Sequence, residues 1–227
     1  MKKIIFWTTL ISVVAFFIAA CAKKDDTATT VTAVTCDRTA SGSITIGSDT
    51  VSSSYLMYTG STPVTGCYAM TSTGFPTGTQ SIKQQRIVTS STSFVDYTGY
   101  FSDTACTSTS VISYQYQKYS SLSVGDQVTG LDTSQGAPSS GYRVTYKSDC
   151  ATAKGETDAG TEALNYQYSN TGVYLTTGTE QTFSTETTGS IYNIWASGNS
   201  GSSFYDGSRS NTDYPSDWDS NDTTYVK

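Results

Sequence analysis

Residues 111–119 read VISYQYQKY, and residues 141–148 read GYRVTYKS. In the first stretch Ile112, Tyr114 and Tyr116 fall on one face, with Ser113, Gln115 and Gln117 on the other. In the second, Tyr142, Val144 and Tyr146 alternate with Arg143, Thr145 and Lys147. A side-chain period of two marks half-buried antiparallel strands. Similar short runs recur along the chain: GSITIGS, SYLMYT, GCYAMT, KQQRIVTS, SFVDYTGYF, DQVTGL, LNYQYS, GVYLTT, EQTFSTE, SIYNIWAS and TTYVK. Clusters of Gly, Ser, Asn and Asp separate them at intervals of about ten residues, the spacing of a sandwich or barrel. No segment carries a sustained 3.6-residue apolar stripe, which excludes helical bundles and Rossmann folds. A single helical turn is expected at 157–164 (TDAGTEAL), capped by Thr157 or Asp158 and weakened by Gly160. The expected fold class is therefore all-β: one antiparallel β-barrel or one β-sandwich over residues 41–227.

Composition tells whether such a sheet has a core. Of 227 residues, 36% are hydrophobic and 14% charged, which is thin for a core, yet seventeen tyrosines bring large area, strand propensity and a polar tip. The chain has no histidine. That removes Ser-His-Asp and Cys-His catalysis, imidazole zinc sites and His-ligated haem. The net charge is −6, and loss of Lys2 and Lys3 with a leader leaves 11 basic against 19 acidic residues, or −8. Binding to a phosphate backbone needs the opposite sign, so nucleic acid is not an expected partner.

The amino-terminal end supplies an address. Met1-Lys2-Lys3 is a short cationic start, residues 4–20 are an unbroken uncharged run, and Ile18-Ala19-Ala20-Cys21 follows. This resembles a bacterial lipoprotein signal peptide with its lipobox, and a cationic region, an apolar stretch and small residues are the physical elements of a cleavable export signal. The resemblance implies cleavage before Cys21 and a lipid anchor on that cysteine, with two or three acyl chains that hold the protein durably on a membrane. Ala22, standing where an Asp would retain a lipoprotein in the inner membrane, directs the expectation to the outer membrane. Residues 1–20 are thus read as signal peptide and residues 21–40 as lipidated cysteine and flexible tether. About twenty such residues reach on the order of 25 Å.

Four cysteines remain: Cys36, Cys67, Cys106 and Cys150. An even number in an exported chain indicates two disulfides, and the spacings match no CxxC metal or redox motif. Three connectivities are open. Cys67 with Cys106 and Cys36 with Cys150 is preferred, because the first pair would join a strand to the end of a neighbouring strand in a meander.

Gly66-Cys67-Tyr68, the strand end from Tyr100 through Phe101, Ser102 and Asp103 to Cys106, the tyrosine-rich strand from Tyr114 to Tyr119, and Val124-Gly125-Asp126 resemble small bacterial lipoproteins with lipocalin-like barrels. Tyr214-Pro215-Ser216 before Thr223-Thr224-Tyr225 is similar to their closing segment. The lipocalin Gly-x-Trp near the first strand is missing, and Tyr214 stands where an Arg often precedes the proline. The resemblance implies a barrel and carries little about activity.

Motifs of chemistry are sparse. GxSxG, GxGxxG, P-loop, HExxH and SxxK patterns are all absent. In the run DYPSDWDSND, residues 213–222, Asp217, Asp219 and Asn221 have the 1, 3, 5 spacing of an EF-hand loop, but Asp222 replaces the required glycine and no Glu follows. A solvated acidic turn is the reading set against weak calcium binding. Trp195 and Trp218, with exposed tyrosines, suit stacking on sugar rings or the lining of a barrel mouth, set against ordinary packing in the sheet. The functional expectation is a lipid-anchored envelope protein with a non-enzymatic binding or structural role, holding a small apolar ligand in its barrel and using no cofactor or metal. The alternative is a surface module for carbohydrate binding or adhesion.

Overall fold

The computed structural model describes residues 35–58, 67–74, 76–133, 136–218 and 223–227. Its strands are β1 (Ser43–Ile46), β2 (Asp49–Ser52), β3 (Ser54–Tyr58), β4 (Cys67–Gly74), β5 (Thr79–Ser90), β6 (Ser93–Phe101), β7 (Val111–Thr129), β8 (Ser140–Gly155), β9 (Gln181–Ser184), β10 (Ile191–Gly198), β11 (Ser203–Asp206) and β12 (Thr223–Val226). A helix, α1 (Asp158–Gln167), lies between β8 and β9.

Eight of these strands, β3, β5, β6, β7, β8, β10, β11 and β12, pair in that order, each antiparallel to the next. Pairing of β12 with β3, Tyr225 opposite Met57, closes the ring. The result is an up-and-down barrel, the topology lipocalins use, and the sandwich falls away because one sheet closes on itself. The long strands β7 and β8 carry three register shifts, near Lys118, Ser120 and Val124. Such bulges bend and twist a strand pair, which closure of a small barrel needs.

The hairpin of β1 and β2 stands apart from the barrel sheet and seals one end. Its two-residue turn begins at Gly47, whose φ of 63° suits glycine and the twist of a tight hairpin. Ile44, Ile46 and Val51 join Tyr55, Val88, Phe94, Leu122, Val144, Trp195 and Phe204 in the main core. Gly42 N–H donates to the Val88 carbonyl, and Tyr55 Oη accepts from Ser52 N–H and donates to the Gly201 carbonyl.

At the other end β7 and β8 run on past the barrel and carry α1. Thr157 caps this helix, its hydroxyl accepting from Gly160 N–H at 3.1 Å. Gly160 is a poor helix former kept for space: a Cβ there would lie 2.2 Å from the Ile112 carbonyl oxygen. Two runs that alternate like strands are not strands. In 164–169 (LNYQYS), Leu164 and Tyr168 stand four residues apart on one helical face and pack with Ala151, Ala153 and Phe183. The run 172–177 (GVYLTT) is irregular, with Leu175 in the same cluster. A short apolar run does not choose between the two periods; the partner surface does.

Disulfides join Cys36 to Cys150 and Cys67 to Cys106, the connectivity preferred above. The first fastens the segment ahead of the barrel to β8. Arg38 then lies over the Tyr116 ring on β7 and pairs with Glu180, and Ser41 and Gly42 bond to Thr89 and Val88 on β5. Residues 36–40, read from the sequence as the end of a flexible tether, are therefore held against the outer wall.

Candidate functional site

Alternation fixes what faces inward. On β5 the inward row is Gln84, Arg86 and Val88; on β6 it is Phe94, Asp96 and Thr98; on β11 it is Phe204 and Asp206. On β7 the inward face is the one carrying Ser113, Gln115, Gln117 and Tyr119. Tyr114 and Tyr116 stand on the outer wall, where Tyr116 meets Tyr97 and Arg38. The polar half of VISYQYQKY thus lines the interior.

Across the middle of the barrel lies a network of charges. Arg86, 2% exposed, donates through Nε and Nη2 to Asp96 at 2.8 and 2.9 Å and through Nη2 to Asp206 at 2.8 Å. Four rings surround its guanidinium carbon, Phe94 at 4.5 Å, Tyr225 at 4.7 Å, and Trp195 and Phe204 at 5.1 Å. Such ring faces stabilise a buried cation, and Nη1 of this guanidinium has no hydrogen-bond partner. Asp206 also accepts from Trp195 Nε1 at 2.6 Å and Asn193 Nδ2 at 2.9 Å. A second guanidinium, Arg209, follows β11, donating to Asp96 and, at 2.5 Å, to Tyr119 Oη. Two cations and two carboxylates cancel. Burial alone would raise the Asp96 carboxyl, but Arg86 and Arg209 outweigh it and hold that group below its ordinary value. The Asp96 carboxylate is therefore ionised and occupied, and the oxygens of Asp206 are held by Arg86, Trp195 and Asn193.

Above it opens a cavity of about 480 Å³. Gln84, Thr98, Gln115, Gln117 and Tyr119 form its wall, Gln167 of α1 its rim, and Asp96, Asp206, Arg209 and Tyr225 its floor and side. Gln117 is fixed by Ser148, Thr185 and the Cys150 carbonyl. Gln115 Oε1 accepts from Tyr168 Oη at 2.6 Å and from Gln167 Nε2 at 2.8 Å, tying the helix to the wall.

Trp195 and Trp218 take no part as surface platforms. Trp195 lies in the barrel core with 0% exposure, and Trp218 packs outside the wall with Leu131, Ile194 and Ala196 while donating to the Pro138 carbonyl. The interior also departs from the apolar cavity expected from the sequence: aromatic rings and Arg86 fill the middle, and the open space is polar. Asp217 Oδ1 accepts from the backbone N–H of Asp132 and Trp218, so it serves a turn. Asp219, Asn221, Asp222 and Cys21 lie outside the described residues. Among the described residues no group of three or more His, Cys, Asp or Glu side chains is placed to hold a metal, and no helix is long and apolar enough to cross a membrane.

The functional residues that sequence reasoning missed are Arg86, Asp96, Asp206 and Arg209. Three of them had a signal: each is a charge in phase with apolar residues of its strand, Arg86 with Val88, Asp96 with Phe94, Asp206 with Phe204. Arg209 sits beyond a strand end, where alternation says nothing. What fold and site together define is an eight-stranded up-and-down barrel with one sealed end and one polar mouth. Compared with known proteins, the chain matches no described family, and no curated protein sequence matches it.

Proposed function

We propose that this is a lipid-anchored protein of the bacterial outer membrane whose barrel mouth binds a small polar molecule without transforming it. The cavity carries the reading: about 480 Å³ falls within the range of small-ligand sites, and its walls are amides, hydroxyls and a guanidinium. That lining favours a polar ligand over an apolar one. Binding without chemistry is supported by Asp96 and Asp206, whose oxygens are engaged by Arg86, Arg209, Trp195 and Asn193, and by a sequence without histidine. The anchor rests on the lipobox-like Ile18-Ala19-Ala20-Cys21. With Cys36 fastened to Cys150, only residues 22–35 would separate the lipid from the barrel, a reach on the order of 20 Å.

Native mass spectrometry of the full protein, extracted in detergent from the membrane of its own host, tests both parts. The expected result is an amino-terminal peptide beginning at acylated Cys21, together with a dissociable small-molecule adduct. A chain still beginning at Met1 would remove the anchor. Absence of any adduct, from freshly extracted protein and after incubation with metabolite extract, would remove the binding role.

A further inference from the structure

Within that mouth the hydrogen-bonding capacity is polarised. Tyr68 Oη donates to Gln84 Oε1 at 2.9 Å, and Tyr168 Oη and Gln167 Nε2 both donate to Gln115 Oε1. Each amide has its acceptor end occupied by the protein, so its NH₂ end is turned the other way. Burial pushes the Tyr68 phenol up to about 12, helped by Tyr100, and raises the Tyr168 phenol, so both keep the proton they donate at neutral pH. Neither NH₂ has a partner among the described residues. The buried side-chain polar atoms without a partner are Arg86 Nη1 and Ser113 Oγ alone among those residues, so the two amide nitrogens, like the Tyr225 hydroxyl, retain access to open space. The cavity is what they line. Beside Gln115, Gln167 has its Nε2 engaged and keeps its carbonyl oxygen for the rim. The charges of the floor cancel, Arg86 and Arg209 against Asp96 and Asp206, and the chain as a whole is at −6.

We infer that the mouth selects an uncharged ligand that carries amide groups, its carbonyl oxygens taken by the NH₂ groups of Gln84 and Gln115 and its N–H by Gln167. This rests on the binding role proposed above and deepens it. Fixed donors favour a group that is always an acceptor, which a carbonyl is and a rotatable hydroxyl is not. A carboxylate would meet the same donors, but beside the Asp96 carboxylate, with no unpaired cation to offset the repulsion and against the field of an acidic protein. A donor left facing an unsuitable group costs about 1–3 kcal/mol, which corresponds to about fivefold to 150-fold in affinity.

The test uses the full chain in detergent and two scaffolds, each in matched forms. One is a pyranose, as N-acetylglucosamine, glucose and glucuronate; the other is alanine, as N-acetylalanine methylamide against N-acetylalanine. Calorimetric titration is expected to rank the neutral amide form about tenfold or more above its alcohol and carboxylate counterparts. The double variant Gln84→Glu/Gln115→Glu keeps an oxygen for Tyr68, Tyr168 and Gln167 to donate to but sets two added carboxylates beside Asp96, so its melting temperature should fall and binding is read where the variant is still folded; its NH₂ donors become acceptors, and amide binding falls about tenfold or more. A glucuronate or glucose that binds as tightly as N-acetylglucosamine overturns the inference, and so does amide binding that survives the double variant. Failure of the whole panel, with a native adduct that contains no amide, overturns the inference and leaves the binding role standing. Failure of the panel with no adduct at all overturns both.

Discussion

The two ends of this barrel are built from the same strands and differ in almost everything else. At the sealed end the inward residues are Val88, Phe94, Leu122 and Phe204, met by Ile44, Ile46 and Val51 from the hairpin. At the open end they are Gln84, Thr98, Gln115 and Gln117, met by Arg209 and the helix. Four residues along β5 and β6, and five along β7 from Leu122 to Gln117, separate one set from the other, and Arg86, Asp96 and Asp206 occupy the step between. A period of two decides which residues face inward, but not what the interior is made of. That is decided by position along the axis: apolar where a plug excludes water, polar where the sheet opens.

The most damaging single change should fall on the boundary itself. Replacing Arg86 by Met preserves bulk and removes the charge that Asp96 and Asp206 share. Those carboxylates would remain, deeply set and short of a partner, a situation that typically costs about 3–5 kcal/mol. Urea unfolding of Arg86→Met should show a loss of this size, and the triple variant with Asp96→Asn and Asp206→Asn should recover most of it. A loss below about 1 kcal/mol would mean that water reaches the network freely and that the boundary is not where it has been placed.

The next effect belongs to the sealed end. Ile46 is 2% exposed within the hairpin core, and its truncation to Ala should cost about 2–5 kcal/mol in the same urea experiment, by lost transfer energy and a cavity the barrel cannot collapse to fill. The hairpin contacts β5 and β10 without sharing their ladder, so it is held by side-chain packing and a few bonds such as Gly42 to Val88. A cost well under 1 kcal/mol would show that it docks loosely and does not act as a plug.

Such contrasts explain which parts of the molecule were legible in its sequence. Strands were legible because alternation is local, and so was the helix start, because Thr157 lies three residues before the amide it caps. Closure was not, since it depends on Tyr225 meeting Met57 and Trp195 meeting Tyr142, and no short window holds either pair. Of the two readings open for the tryptophans, ordinary packing is the one found, and phase is what decides it for Trp195. Trp195 is in phase with Asn193 and faces the core, where its N–H finds Asp206. The site was missed on the same point: a single Asp between Val95 and Tyr97 looks like solvated charge until its neighbour Phe94, two positions away, is seen to face inward.

The smallest effect is expected from acid, and it should be confined to one end. Asp96 is faced by Arg86 from β5 and Arg209 from the loop after β11, interacts with Tyr119 of β7 and Tyr225 of β12, and shares both guanidiniums with Asp206 of β11. Its carboxyl is held below the ordinary aspartate value near 3.9. A depressed folded value means stability that is fully present above about pH 4 and is lost as pH falls through that lower value, when protonation releases both guanidiniums from their partner. At the sealed end the packing set, Ile44, Ile46 and Val51, is apolar, and the hairpin's acid, Asp49, accepts from Ser197 Oγ and takes no part in that packing. Amide hydrogen exchange at pH 3, corrected for intrinsic rates and compared with pH 6, should therefore quicken in β6 around Asp96 and in residues 207–209 while the hairpin keeps its protection. Asp96→Asn should lose that difference. Equal loosening at both ends would mean that the charge network and the plug form one cooperative unit, and the contrast between them would then describe composition without describing how the barrel opens.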